Sequence, residues 1–517
     1  MASPGILYVT MQPRPGLPLA RFHEWYNNEH GPTRLSLPSI FANGFRYQST
    51  SSTTTTSSSP PSPAFLAVYD IHHMPLLATP TYTTLRAHRS PREAATISQV
   101  NVRRSFYDLL HTAAAPDFQP IESLSDRDAV GLVTVAVEIL PTSDRAAGDE
   151  YQKWYVEEHV GMLAKVPGWR RSRLFKTSSS SSSSSLQQEA DDDNETTVTY
   201  LCLHDYAPDN GLGGAEHKAS MDTPRRTAVF QKYVARKSRQ TYTLFYVFGP
   251  ASRDLYSLSQ LDDPSSASFT SPSGTLQTSA TSIASRITTP SGLAIRYRLQ
   301  GNPSPSAPVI VFSNSLLTSY AMWDPLITLL QQHRPDLCIL RYDTRGRHSL
   351  TQPPVAATLA DLASDLDVLR AALRIDRFAC LVGVSMGGAT ALRYALTYPA
   401  RVARFVAADC NAASSAAAAW RRWQGRRSRA GSIRRLKTRR CTALWDYDLR
   451  EELPGCAVPG LLVAGEADGK GALVKAMESF KGLVGEEGAA LHVVPRAGHL
   501  PMCENPQGFW EATKDFI

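Results

Sequence analysis

Two rhythms of apolar and polar positions divide the chain. From residue 283 onward, short apolar runs ("PVIVFS", "LCILRYD", "FACLVGV", "RFVAAD", "GLLVAG", "LHVVP") recur between amphipathic stretches. Several are almost wholly apolar, which predicts strands covered on both faces, because a half-wet strand alternates. In "LADLASDLDVLRAAL", Leu359, Leu362, Leu366, Leu369 and Leu373 fall on one helical stripe, with Thr358 as the N-cap. Alternation of strand and helix over 283–517 predicts a doubly wound α/β domain.

The first 248 residues follow another order. "ILYVTMQ" is a strand and "LARFHEWYNNEH" has helical spacing. "GFRYQS" and "AFLAVYDI" are strands, and a further helix precedes the strand "RRSFYDLL". The pattern then returns. Trp25-Tyr26 and Glu29-His30 match Trp154-Tyr155 and Glu158-His159, and Gly44-Phe45-Arg46 matches Gly168-Trp169-Arg170. "LAVYD" (66–70) matches "LCLHD" (201–205), Pro91-Arg92 matches Pro224-Arg225, and "RSFYDL" matches "RQTYTL". So long a period excludes a solenoid and indicates a duplicated domain. Each copy is a βαββαβ ferredoxin-like unit, repeat 1 over 5–112 and repeat 2 over 129–248. Together they predict an α+β tandem that forms an intramolecular pseudo-dimer.

Low-complexity stretches at 49–62, 177–196 and about 250–285 are too polar to build a core. The first two interrupt the repeats at the same loop, and the third predicts a flexible linker over 249–282. At 517 residues the chain exceeds what one core serves, in agreement with two bodies. Seven scattered cysteines without metal-ligand spacing predict reduced thiols in a cytoplasmic protein, with neither a metal nor a cofactor. The opening "MASPGILYVTMQ" reads as a strand rather than a signal peptide, and no apolar run is long enough to suggest a membrane partner. The net charge of +7 is local: residues 421–440 hold ten Arg and Lys and no acid. With the remainder slightly acidic and no known module present, nucleic acid is not the expected partner.

The chemistry concentrates in "GVSMG". Here an apolar strand meets a helix of small residues at Gly383-Val384-Ser385-Met386-Gly387, a G-x-S-x-G nucleophile elbow. The glycines leave room for a strained turn that exposes the serine Oγ. An acid and a histidine should follow in that order. Asp468 stands just past the strand "GLLVAG", with Glu466 as a second candidate acid, and His499 lies in the loop after the last strand. In the repeats, His30 and His159 are candidates for a second site, with packing or helix-end roles as the alternative. A Glu one residue before its His cannot share its helix face, so no local Glu–His dyad is expected.

Two resemblances follow from these residues. The element order and the "WYxxEH" signature resemble the EthD-type branch of the dimeric α/β barrels, whose paired sheets enclose a small organic ligand. "VFSNSLLTSYAMWDPL", "LRYDTRG", "GVSMGG", "DYDLREEL" and "AGHLPMCENPQGF" resemble the 3-oxoadipate enol-lactonase branch of the α/β-hydrolases. That resemblance implies an acyl-enzyme serine hydrolase of esters or enol-lactones, with the backbone N–H groups of Leu316 and Met386 as oxyanion hole. It also implies a small-molecule substrate, which the arginines of residues 421–440 could clamp by a carboxylate; a solvated basic face is the other reading of that cluster. The sequence departs from the branch at Leu317, where glycine is usual, at Arg345-Gly346-Arg347-His348, and in a short lid over about 410–447. Two alternatives stay open: an EthD-domain cyclase, dehydratase or decarboxylase with a degenerate hydrolase, and a non-catalytic ligand-binding protein.

Overall fold

The computed structural model describes residues 3–50, 63–178, 198–271, 274–345, 347, 357–414, 444 and 447–517. The basic cluster at 421–440, nearly all of the expected lid, and His348 lie outside the described residues. The chain divides into two compact units, Met1–Pro250 and Ala251–Ile517. Among the described residues, no helix is long and apolar enough to cross a membrane.

In the first unit, eight described strands close into an antiparallel barrel: β1 (Gly5–Pro13), β2 (Phe45–Ser49), β3 (Phe65–Ile71), β4 (Val100–Ala114), β5 (Val133–Pro141), β6 (Trp169–Thr177), β7 (Tyr200–Tyr206) and β8 (Val234–Val247). Around the ring the order is β4-β1-β3-β2-β8-β5-β7-β6, so each half repeats the order fourth, first, third, second. The halves join edge to edge through β2–β8 and β4–β6. Alternation on each strand builds two cores at once. Ile6 and Tyr8 of β1 belong to the same cluster as Leu66, Val68 and Leu244, while Leu7, Val9 and Met11 pack with Phe22, Trp25 and Tyr26 of the covering helix.

The helix expected over "LARFHEWYNNEH" is α-helical only over Leu19–Trp25. Tyr26–His30 is π-helical, and Gly31–Leu35 returns to α. The second half repeats this at Tyr155–His159. A π turn widens the helix by one residue per turn. In the first half this lets all five residues from Tyr26 to His30 be buried.

The second unit is a ten-stranded sheet in the order β18-β17-β16-β15-β13-β14-β12-β11-β10-β9. Its strands are β9 (Phe269–Ser271), β10 (Gly274–Ser279), β11 (Ser282–Thr288), β12 (Ala294–Gly301), β13 (Val309–Ser313), β14 (Cys338–Tyr342), β15 (Cys380–Val384), β16 (Phe405–Ala408), β17 (Gly460–Gly465) and β18 (Ala490–Val494). From β13 to β18 neighbouring strands run parallel, whereas β9 to β12 add an antiparallel wing. The five leucines of the predicted stripe are buried. Thr358 caps their helix, Leu359–Ala372, and Asp361 completes a capping box.

One expectation needs correction. The stretch 249–282 is not a featureless linker: it carries the helical turn Leu255–Ser259 and strands β9 and β10. Leu255 and Leu258 join the core of the second unit, and apolar residues spaced among serines sufficed for that. Strand β18 is an edge strand of the sheet, and Val493 is 44% exposed.

Candidate active site

The elbow forms where β15 ends and the helix Met386–Thr397 begins. Ser385 adopts φ 58° and ψ −117°, a region that costs a side-chain-bearing residue roughly 1–3 kcal/mol. The flanking glycines show what enforces this turn. A Cβ on Gly383 would lie 2.0 Å from the Gly387 carbonyl oxygen, and one on Gly387 would lie 2.0 Å from that of Ser313. The backbone amide of Ser385 donates to the carbonyl of Ala408 on β16 at 2.8 Å, which pins the turn to the sheet.

Asp468 follows β17, and His499 follows β18. His499 Nδ1 lies 2.7 Å from Asp468 Oδ2, and His499 Nε2 lies 2.9 Å from Ser385 Oγ. An ionised carboxylate only accepts, so Nδ1 carries the imidazole proton and Nε2 is left to accept from the serine hydroxyl. The structure thus brings Ser385, Asp468 and His499 into one hydrogen-bonded chain, although 114 positions separate the histidine from the serine.

Glu466 is not a partner of His499. Its carboxylate accepts from the backbone amide of Arg496 at 2.9 Å, which steadies the approach to the histidine loop. That loop has a second support, which the sequence reading did not identify. Glu504 accepts from the amides of Gly498 at 2.7 Å and Leu500 at 3.0 Å, the two residues that flank His499. Asp409, which no sequence motif marks, is a further support. It sits buried at the end of β16 with φ 42°, and its Oδ1 accepts from the Gly465 amide at 2.9 Å. Burial, with the Asp468 charge beside it, pushes its carboxyl up to about 8, so this acid is neutral at pH 7. The only sequence cue for either residue was position, next to a strand end or a catalytic loop.

Met386 opens the elbow helix and is buried, and Leu316, in the loop after β13, is partly buried against the core of the second unit. Gly387 abuts the carbonyl oxygens of Ser313 and Asn314, so the loop after β13 rests against the elbow. Asn314 is buried and ties that loop down: its amide donates to the Tyr342 carbonyl at 2.8 Å and its oxygen accepts from Trp323 Nε1 at 2.9 Å. Leu317 has φ 63°, the left-handed region that glycine enters without penalty, and its side chain is 42% exposed. The Leu317 carbonyl accepts from Arg347 at 3.1 Å, so the departure at residues 345–348 includes a contact to this loop. Arg345 instead holds Asp365 through two hydrogen bonds, at 2.6 and 2.8 Å.

The other two predicted residues belong to the first unit. His30 is buried against Trp25 and Tyr26, and its Nδ1 donates to Glu93 at 2.7 Å. Burial and then Arg34 push the imidazole down to about 3, so it is neutral. The neighbouring Glu29 does not pair with His30. It accepts from the hydroxyl of Ser90, the N-cap of the helix Pro91–Ile97, and Glu158 accepts from the equivalent N-cap Thr223 at 2.5 Å. The Glu of each "WYxxEH" motif is therefore a latch between the two helices of its half. His159 stacks on Trp154 at 4.5 Å, and the position of Glu93 is taken in its half by Arg226.

The model of the alpha/beta hydrolase fold family matches residues 308–430. The chain is 33% identical over 206 residues to 3-oxoadipate enol-lactonase 1 of Acinetobacter baylyi, covering 33% of this chain and 75% of that protein. It is 26% identical over 256 residues to 3-oxoadipate enol-lactonase 2 of the same organism, covering 43% and 92%. Among solved structures, the enol-lactonase of Burkholderia xenovorans LB400 is 25% identical with a TM-score of 0.40, covering 45% of this chain and 98% of that one. Through its C-terminal unit, the chain therefore belongs to the α/β-hydrolase family and is of the 3-oxoadipate enol-lactonase type.

Proposed function

We propose that the C-terminal unit is a serine hydrolase that opens a carboxylic ester or enol-lactone through an acyl-enzyme. The observation that carries this reading is the Ser385–His499–Asp468 chain at a strained elbow. Ser385 Oγ attacks the carbonyl carbon as its proton passes to His499 Nε2. Asp468 holds the imidazole tautomer and stabilises the imidazolium. The amides of Met386 and Leu316 take the developing oxyanion, a contribution of about 3–4 kcal/mol for a well-aimed donor. The C–O bond then breaks and the leaving oxygen takes the proton from His499. An enol leaving group goes on to its ketone, which draws ring opening forward. Water, deprotonated by His499, releases the acid and restores the serine.

For the first unit the proposed identity is a tandem EthD-type pair, a pseudo-dimeric α/β barrel. The repeated strand order and the π-helical "WYxxEH" turns in both halves support it. Labelling of the full chain with a fluorophosphonate probe tests the hydrolase reading, with Ser385→Ala as control. The label should appear on the wild type and vanish in the variant. A folded wild type that neither labels nor hydrolyses p-nitrophenyl acetate would refute it.

A further inference from the structure

One face of the antiparallel wing in the second unit is built of arginines. Ile283 and Ile287 of β11, with Ile295, Tyr297 and Leu299 of β12, belong to the core on the inner face. Alternation therefore sets Ala284 and Arg286 of β11, and Arg296, Arg298 and Gln300 of β12, on the other face, with Arg341 of β14 beside them. Register then opposes like charges twice: Arg286 is paired with Arg296, and Arg298 with Arg341. Residues so paired have Cβ atoms about 4.5–5.5 Å apart, where like charges destabilise the sheet.

The inner pair is partly answered. Arg341 is 1% exposed, pairs with Asp324, and donates from Nη2 to Gln300 at 2.7 Å. Arg298 lies over the Tyr320 ring at 5.8 Å, and its Nε is buried without a hydrogen-bond partner. Asp343, just past β14, accepts from the Tyr320 amide at 2.9 Å. Among the described residues, neither Arg296 nor Arg298 is held in an ion pair.

Over the outer pair lies a cleft of about 330 Å³, lined among others by Thr275 and Gln277 of β10, Arg286, Arg296 and Tyr320. Arg286 and Arg296 are exposed, and no lining residue is acidic. The volume falls at the lower end of small-molecule sites, roughly 300–1,000 Å³.

We infer that this cleft binds a small phosphoryl-bearing compound, its oxygens bridged between Arg286 and Arg296 and met further by Thr275 and Gln277. A tetrahedral phosphoryl group has oxygens enough to accept from two guanidinium groups at once, whereas a planar carboxylate is filled by one. The Thr275 hydroxyl and the Gln277 amide are donors as well, and the lining is mostly polar, which favours a ligand that is polar throughout. A bound anion also removes the repulsion that the register imposes. The inference does not depend on chemistry at Ser385.

Isothermal titration of the full chain with pyrophosphate tests it, with citrate as the polyanion that lacks phosphorus. Pyrophosphate should bind saturably, and Arg296→Gln and Arg286→Gln should each weaken it about tenfold or more, as loss of one charged hydrogen bond implies. Arg296→Lys should lose less, and Arg401→Gln, which removes an exposed cation elsewhere in the unit, should change nothing. Residues 421–440 hold ten further cations, so the comparison between variants decides. Pyrophosphate binding that is absent from the wild type, or undiminished in both Arg286→Gln and Arg296→Gln, would overturn the inference. Citrate bound as tightly through Arg296 would overturn the phosphoryl part of it. Binding through Arg296 to phosphatidylcholine vesicles carrying phosphatidic acid, without binding of pyrophosphate, would overturn the soluble source. In urea without pyrophosphate, Arg296→Gln should be at least as stable as wild type because repulsion is relieved; a marked loss would show Arg296 already partnered and would also sink the inference.

Discussion

Gly387→Ala separates catalysis from stability at the elbow. The residue lies in a helix, where alanine is favoured over glycine by about 1 kcal/mol. Against this, the new Cβ would stand 2.0 Å from the Ser313 carbonyl oxygen and 2.8 Å from that of Asn314. Both neighbours are backbone, so no side chain can swing aside, and the loop after β13 must retreat by about 1 Å to reach an ordinary carbon–oxygen contact of roughly 3.2 Å. Overpacking of this kind costs about 1–3 kcal/mol, so net destabilisation should be within about 2 kcal/mol. On the proposed mechanism the same retreat carries the Leu316 amide off the oxyanion position. Losing one such donor lowers kcat by about 10²–10³, or about 2.7–4 kcal/mol. Hydrolysis of p-nitrophenyl acetate, measured beside urea unfolding, should show a large fall in kcat with a modest loss of stability. A kcat within a few-fold of wild type would refute both the rigidity of the contact and the role of the loop.

Other consequences can be measured directly. Asp409 holds its proton up to about pH 8 in the fold but only to roughly 3.9 when unfolded, so its contribution is full below pH 4 and declines as pH rises towards 8. Asp409→Asn, whose amide oxygen still accepts from Gly465, should therefore gain on wild type in urea unfolding as pH climbs from 5 to 9; parallel profiles would contradict this. His30 moves the opposite way. Burial keeps it neutral to about pH 3, so its contribution is present above roughly pH 6.5 and is lost as pH falls towards 3. Acid-induced unfolding of the barrel should be less steep over that window in His30→Gln, and an unchanged slope would count against the assignment. Leu317→Gly relieves a left-handed backbone at an exposed residue, so stability should shift by no more than about 1 kcal/mol in chemical denaturation, with activity retained or raised. A loss of several kcal/mol would mean the leucine side chain packs against something essential.

The residues of the candidate site stood out in the sequence because their types follow a local pattern in a fixed order along the chain. Ser385 could be recognised since an elbow needs small residues at fixed offsets, and Asp468 and His499 follow strand ends that apolar runs make visible. Glu504 and Asp409 were not legible. An exposed glutamate that bonds two loop amides and a buried acid beside a strand end have no spacing that distinguishes them from ordinary polar residues. In the barrel, the repeated "WYxxEH" motif disclosed the duplication but not its mechanics. The Glu latches to Ser90 and Thr223 lie more than sixty positions away and depend on how two helices pack.

Alternation of apolar positions, turn-forming glycines and an internal repeat are properties of neighbouring residues. They determined by themselves most strands and helices, the elbow and the doubling of the first unit, though not β9, β10 or the π-helical turns. Which acid reaches a histidine, which carboxyl keeps its proton, and which N-cap each motif glutamate latches depend on distances between remote segments. Those distances, and the burial that sharpens every charge within them, exist only once the sheets have closed, and so the tertiary structure decided them.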